Sequence, residues 1–255
     1  MPFDYIETAD AMVRDGLRMT VVSRVPSPWG EAAKGILHIK GIAWSAVRLD
    51  AQDPTQVEWS GHASAPAAVY NDEPGKARWN DLLFLFERIE PEPSLLPADP
   101  VERALMIGMS HEICGEQGLG PLRRMAMTDA GLREAGGFQK PVAQYLAAKY
   151  GHSPEMAVWA RTRIAQILDM LASRLESQRA AGSGFYIGDK VSALDVYSAC
   201  FMAMFSPLPE DQCAMKSSTR AAFETRDESS DALRPILLEH RDMMYKEFLE
   251  MPLSL

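Results

Sequence analysis

The chain has 255 residues, 47% of them hydrophobic, enough apolar material for one large domain or two small ones, which excludes a disordered chain. Its formal charge of -9, from 26 Lys and Arg against 35 Asp and Glu, argues against nucleic acid as a partner, because no basic cluster is present to displace counterions from phosphates. The three cysteines, Cys114, Cys200 and Cys213, lack C-x-x-C spacing and so imply neither a disulfide framework nor a zinc ribbon, which leaves the cytoplasm as the default compartment.

The stretch from Met1 to Asp10 is acidic and lacks a basic region followed by an apolar run, so it does not read as a signal peptide. Short strands are predicted over Leu17 to Val22, Trp44 to Leu49 and Ala67 to Tyr70, each bounded by turn residues. Between the first two, Ala33, Ile36, Leu37 and Ile39 fit one face of a helix over Glu31 to Lys40 that stops at Gly41, giving a β-α-β unit. The break at Ser23-Arg24-Val25-Pro26-Ser27-Pro28-Trp29 is the most informative stretch. A strand that turns directly into a helix sets the Ser27 hydroxyl and free amides at the positive end of a helix dipole, a place for a thiolate or phosphate.

After a Glu73-Pro74-Gly75 turn, Trp79 to Ile89 reads as an apolar helix packed on the sheet. The proline-rich run from Pro91 to Pro100 lacks periodicity and reads as an interdomain linker. Beyond it the pattern is helical over Val101 to Cys114, Phe138 to Tyr150, Ser153 to Arg179, Ala193 to Phe205 and Ala232 to Leu249. Ser217 to Ser230 is polar enough for a mobile loop or a poorly packed helix. Val196 to Leu208, the longest apolar run, is too short to span a bilayer and reads as a buried core helix, so no membrane partner is expected. The fold class is therefore α/β followed by all-α, with domains at 1–90 and 101–255 joined by a linker at 91–100.

Several residue groups, spread over nearly the whole chain, resemble the glutathione transferase superfamily, whose members carry a thioredoxin-like domain followed by a helical bundle. Ser27-Pro28-Trp29 and the helix ending Lys40-Gly41-Ile42 resemble its active-site turn and first helix. Ala65-Pro66 before the third strand resembles its cis-proline. Leu95-Leu96-Pro97 with Asp99-Pro100 and Arg103-Ala104 resembles its linker, and Ser192-Ala193-Leu194-Asp195 its buried capping box.

The resemblance implies glutathione as co-substrate, a small hydrophobic electrophile as acceptor, a homodimer and a detoxifying role. It makes Ser27 the catalytic thiolate donor, with Pro28, Trp29, Ala65 and Pro66 in the glutathione site. A free thiol titrates at about 8.5, and lowering that by ~2 units needs roughly 2.7 kcal/mol. One hydroxyl donor to a charged acceptor supplies about 1.5–3 kcal/mol and a helix N-terminus about 0.3–1 more. Ser27 plus its helix is sufficient by that arithmetic. Two other assignments stay open: Ser27 as a plain N-cap, and Ser23 as the working hydroxyl.

The chain departs from the family at Ala77-Arg78-Trp79-Asn80-Asp81, where members usually carry Glu-Ser or Asp-Ser to hold the γ-glutamyl end. Asn80 and Asp81 are the nearest substitutes, and Trp79 crowds the pocket. The first long helix of the second domain lines the acceptor pocket in the family, which points to Met106, Ser110, His111 and Cys114; a polar patch on a packed helix, with Met106 filling the core, is the other reading open for them. Ser192 and Asp195 are spaced as a structural capping box. His111-Glu112-x-x-Gly115 lacks the second histidine of a zinc-protease helix, so no metal is expected. A noncatalytic interaction or stress-response protein of the same fold is the alternative that the missing acidic-serine pair favours. A disulfide reductase is weaker, because Ser27 stands where the attacking thiol is needed.

Overall fold

A computed structural model describes residues 4–255. The first part runs α1 (Thr8–Val13), β1 (Leu17–Val21), α2 (Pro28–Ile39), β2 (Trp44–Arg48), α3 (Pro54–Ser60), β3 (Ala67–Tyr70) and α4 (Trp79–Ile89). The sheet order is β2-β1-β3, with β1 and β2 parallel (Leu17 opposite Trp44) and β1 and β3 antiparallel (Leu17 opposite Tyr70). Central β1 is buried along its whole length, which is why even its polar residues are internally satisfied. Arg18 donates to the carbonyls of Ala11, Gly16 and Asn71, and Thr20 Oγ1 accepts from Ala67 N–H.

α2 begins at Pro28, earlier than predicted, because proline presets the helical φ and its missing N–H costs nothing in a first turn. Two short helices escaped the periodicity reading. For α3 the signals were present: Asp53 accepts from Thr55 N–H, Pro54 opens the helix, and Gly61 closes it at φ 71°. Beyond β3 the sheet extends only as an isolated bridge between Ala68 and Lys76, since only a few residues separate the Pro74-Gly75 turn from α4.

Residues 90–99 carry no helix or strand, yet they form a brace and not a loose spacer. Leu95 is buried, its N–H donates to Glu87 and its carbonyl accepts from Ala193 N–H. Buried Lys40 ties the segment to α2 by bonding Glu87 and the carbonyls of Glu90 and Pro93.

The second part is α5 (Pro100–Cys114), α6 (Leu119–Leu132), α7 (Lys140–Tyr150), α8 (Pro154–Ala180), α9 (Ala193–Met202), α10 (Ser217–Phe223) and α11 (Pro235–Glu247). Every residue of α9 is buried, packed between α2, α5 and α11, so one core runs through both parts. The apolar run stays buried to Phe205 and again at Leu208, but the helix ends at Met202. α6 was not predicted, and its start carries Gly118, Gly120 and Pro121, residues that ordinarily interrupt a helix. Pro121 falls in the first turn, where no intrahelical amide bond is lost, and Gly120 is needed for clearance: a Cβ there would sit 2.3 Å from Phe201 and 2.9 Å from Trp29. The segment from Ser217 to Ser230 is better packed than its polarity suggested. It forms α10 and the start of a 3-10 turn over Glu228–Ala232, and buried Arg123 donates to the carbonyls of Phe223 and Thr225.

At the start of α9 the buried Asp195 carboxylate accepts from Ser192 N–H and Oγ–H, from Tyr186 N–H and from His240 Nε2. No helix among the described residues is long and apolar enough to cross a membrane.

Candidate active site

β1 delivers the chain to the turn that carries Ser27, and α2 leaves from it. Ser27 is the N-cap of α2, with its carbonyl accepting Glu31 N–H at 2.7 Å, but its hydroxyl makes no capping bond. The first-turn amides of Trp29 and Gly30 lack the intrahelical partners that later amides have. Ser27, Pro28, Trp29 and Ala65 line one wall of a cleft of about 510 Å³, with Val22, Val25, Leu49 and Ser64 beside them. Ser23 does not line it. The Ala65-Pro66 bond is cis, and Pro66 lies buried behind that wall.

Trp29 joins this wall to the helical part. Its Nε1–H donates to the Cys114 carbonyl at 3.0 Å, and its ring meets Phe201 edge-on at 4.9 Å. The facing wall comes from α6, α7 and α10. Arg124 of α6 lies over the Tyr150 ring at 3.8 Å and over the Trp29 ring at 5.4 Å, and Lys149 lies over Tyr150 at 5.5 Å and Tyr145 at 5.7 Å. Burial pulls the Arg124 guanidinium below its ordinary value, with Tyr150 opposing.

The acceptor residues expected on α5 are elsewhere. Met106, Ser110 and Cys114 are buried, with Ser110 Oγ bonded to Met106 Sδ, and exposed His111 tilts against Trp79 at 6.4 Å. None of the four lines the cleft. Positions 106, 109, 110, 113 and 114 form the face of α5 that packs on α9, so helical spacing commits them to the core. The wall that does face Ser27 includes α7, which the sequence reading left out. Its signal was available: a helix that buries only Ala143 while presenting Tyr145, Lys149 and Tyr150.

The residues of α4 expected at the glutathione site lie apart from the cleft. Trp79 packs edge-on against Tyr197 at 5.5 Å, and its carbonyl accepts from Tyr197 O–H. Trp29, Pro66, Trp79 and Tyr197 enclose a cavity of only about 10 Å³, room for one water at most. Asn80 and Asp81, half-buried in the first turn of α4, line neither that cavity nor the cleft. Trp79 takes the inward place, and at about 100° per residue the next two positions fall off that face.

Burial pushes the Cys200 thiol up to about 12, the Cys213 thiol up to about 11 and the Cys114 thiol well up too, so none is poised as a nucleophile. Among the described residues no group of His, Cys, Asp and Glu is arranged to hold a metal. A larger hollow of about 740 Å³, lined by His38, Arg241, Asp242 and Glu250 among others, carries charges of both signs and has no hydroxyl at a helix start.

No protein-family model and no curated protein matches this sequence. In structure the chain is similar to a glutathione S-transferase of Methylobacterium radiotolerans, solved in complex with glutathione sulfonate, at TM-score 0.58 and 17% identity over 91% of each chain. It is similar to one from Methylobacillus flagellatus, solved with glutathione bound, at TM-score 0.60 and 13% identity over 91% of this chain and 96% of that one. A glutathione S-transferase domain-containing protein of Marinobacter aquaeolei gives TM-score 0.60 and 16% identity over 90% of this chain and 98% of the other.

Proposed function

We propose that this chain, which has the glutathione transferase fold, is a glutathione transferase-type enzyme that attacks a small hydrophobic electrophile with the thiolate of glutathione. The observation that carries the reading is the Ser27 hydroxyl: it stands at a helix start on the wall of a ligand-sized cleft, and capping does not use it. Structural neighbours solved with glutathione or its sulfonate support the co-substrate.

In this reading Ser27 Oγ–H donates to the thiolate, and the first-turn amides of α2 add positive potential. The thiol proton goes to solvent. The sulfur lone pair forms the new S–C bond, and the leaving group departs with its bonding electrons. Pro28, Trp29, Ala65 and Pro66 frame the peptide. The chain would work as two domains at 1–90 and 101–255, in the cytoplasm, where three free thiols persist, and in a detoxifying role. Exposed Phe84, Val101 and Leu105 on α4 and α5 supply an apolar surface for a homodimer, which sedimentation of the Leu105→Glu variant tests.

Thermal denaturation with millimolar glutathione is the direct test. A ligand at about 100 times its Kd stabilises the native state by about 2.7 kcal/mol. A second reading, a noncatalytic interaction or stress-response protein, is favoured by Trp79 filling the ground where the family holds the γ-glutamyl end. No thermal shift and no turnover would favour it over the enzyme.

A further inference from the structure

The cleft beside Ser27 has a charge pattern opposite to that of the chain. Acidic residues outnumber basic ones 35 to 26 overall, yet the cleft is lined by three cations, Arg124, Lys149 and Lys216, and by no carboxylate. None of the three makes an ion pair among the described residues. Glu116 lines an adjoining hollow shared with Arg124 and Tyr150 without pairing to Arg124.

Arg124 is the informative member. It is half-buried, which costs a cation hydration, and the usual compensation by a carboxylate is missing. Its Cζ lies instead over aromatic rings, that of Tyr150 at 3.8 Å and that of Trp29 at 5.4 Å. A guanidinium held over aromatic rings keeps N–H groups for a polar partner, and those groups form a fork that matches an oxyanion. The same residues present flat aromatic surface at a volume suited to a small molecule.

We infer that the acceptor of this site is an anionic aromatic molecule, an aryl carboxylate or sulfonate whose head pairs with Arg124 and whose ring packs among Trp29, Tyr145 and Tyr150. This rests on the transferase reading for its chemistry, but binding of the anion does not require glutathione. Lys149 and Lys216, both exposed, add attraction at the mouth that salt screens.

Two fluorescent probes with the same aromatic body separate charge from hydrophobicity: anilinonaphthalene sulfonate and neutral N-phenylnaphthylamine. Titrated into the full chain without glutathione, the sulfonate should bind about tenfold tighter or more, the order of one charge-assisted hydrogen bond. That advantage should shrink as salt is raised to half molar. Arg124→Gln should remove most of the sulfonate's advantage over the neutral probe, and Lys149→Gln, at an exposed position, should remove part of it. Equal affinities for the two probes in the unaltered protein, or a sulfonate preference that survives both substitutions, would overturn the inference. A sulfonate preference without any thermal shift by glutathione would keep the anion site and defeat the transferase reading, and the converse would defeat the anion site alone.

Discussion

Replacing Ser27 by alanine removes one hydroxyl that serves no bond in the fold and, in the proposed mechanism, one donor to a thiolate. A hydrogen bond to a charged group contributes about 1.5–3 kcal/mol. At 1.36 kcal/mol per pKa unit, the thiol of bound glutathione should then titrate about 1–2 units higher in the variant. The same loss lowers kcat/KM by about tenfold to 150-fold at neutral pH. Stability should barely respond, because Ser27 is half-exposed and its side chain caps nothing; a change within about 0.5 kcal/mol is expected, in contrast to the 0.5–2 kcal/mol of a working cap. The assay is a pH titration of thiolate ultraviolet absorbance at saturating glutathione, run beside steady-state turnover and urea unfolding. Unchanged turnover and an unchanged thiol titration in Ser27→Ala would refute the assignment and leave Ser23, off the cleft, or no hydroxyl at all.

Asp195→Ala should cost about 3–5 kcal/mol in urea unfolding, because it strands Ser192, Tyr186 N–H and His240, all buried around the carboxylate; a stable but inactive variant would place Asp195 in the chemistry instead. Gly120→Ala pushes a methyl to 2.3 Å from Phe201 and 2.9 Å from Trp29, so a loss of about 1–3 kcal/mol with reduced turnover is expected, and an unchanged Tm would show that α6 can shift. Native protein should resist thiol-reactive reagents at pH 8 and react at all three cysteines only when unfolded. With native Cys213 and Cys200 held up to about 11 and about 12, the unfolded chain releases these protons first. Stability should therefore fall as pH rises from about 9 toward those values, and a Cys200→Ala,Cys213→Ala variant should show a shallower alkaline decline.

Much of the first part was legible because its signals are local. The strand at Ala67–Tyr70 and the helix at Trp79–Ile89 match the bounds that their apolar patterning and flanking turns implied. The Ala65-Pro66 bond is cis, as the resemblance implied. What failed was also local in cause: the start of α6 carries Gly118, Gly120 and Pro121, residues that ordinarily interrupt a helix, and Trp29 and Phe201 occupy the space above Gly120. The polar composition of Ser217 to Ser230 likewise hid a buried Phe223 and the carbonyls that hold Arg123.

The site divides in the same way. The sequence by itself determined that a hydroxyl stands where a strand passes into a helix, and that the acid–hydroxyl pair is missing at Arg78-Trp79, because both are properties of a few consecutive residues. Only the tertiary structure decided what faces Ser27. Met106, Ser110 and Cys114 turned into the core against α9, and α7 with Arg124 took the wall they were expected to form. That choice depends on which helix face meets which neighbour, and the contacts that fix it, such as Trp29 to a carbonyl 85 positions away, join segments whose sequences carry no mark of each other.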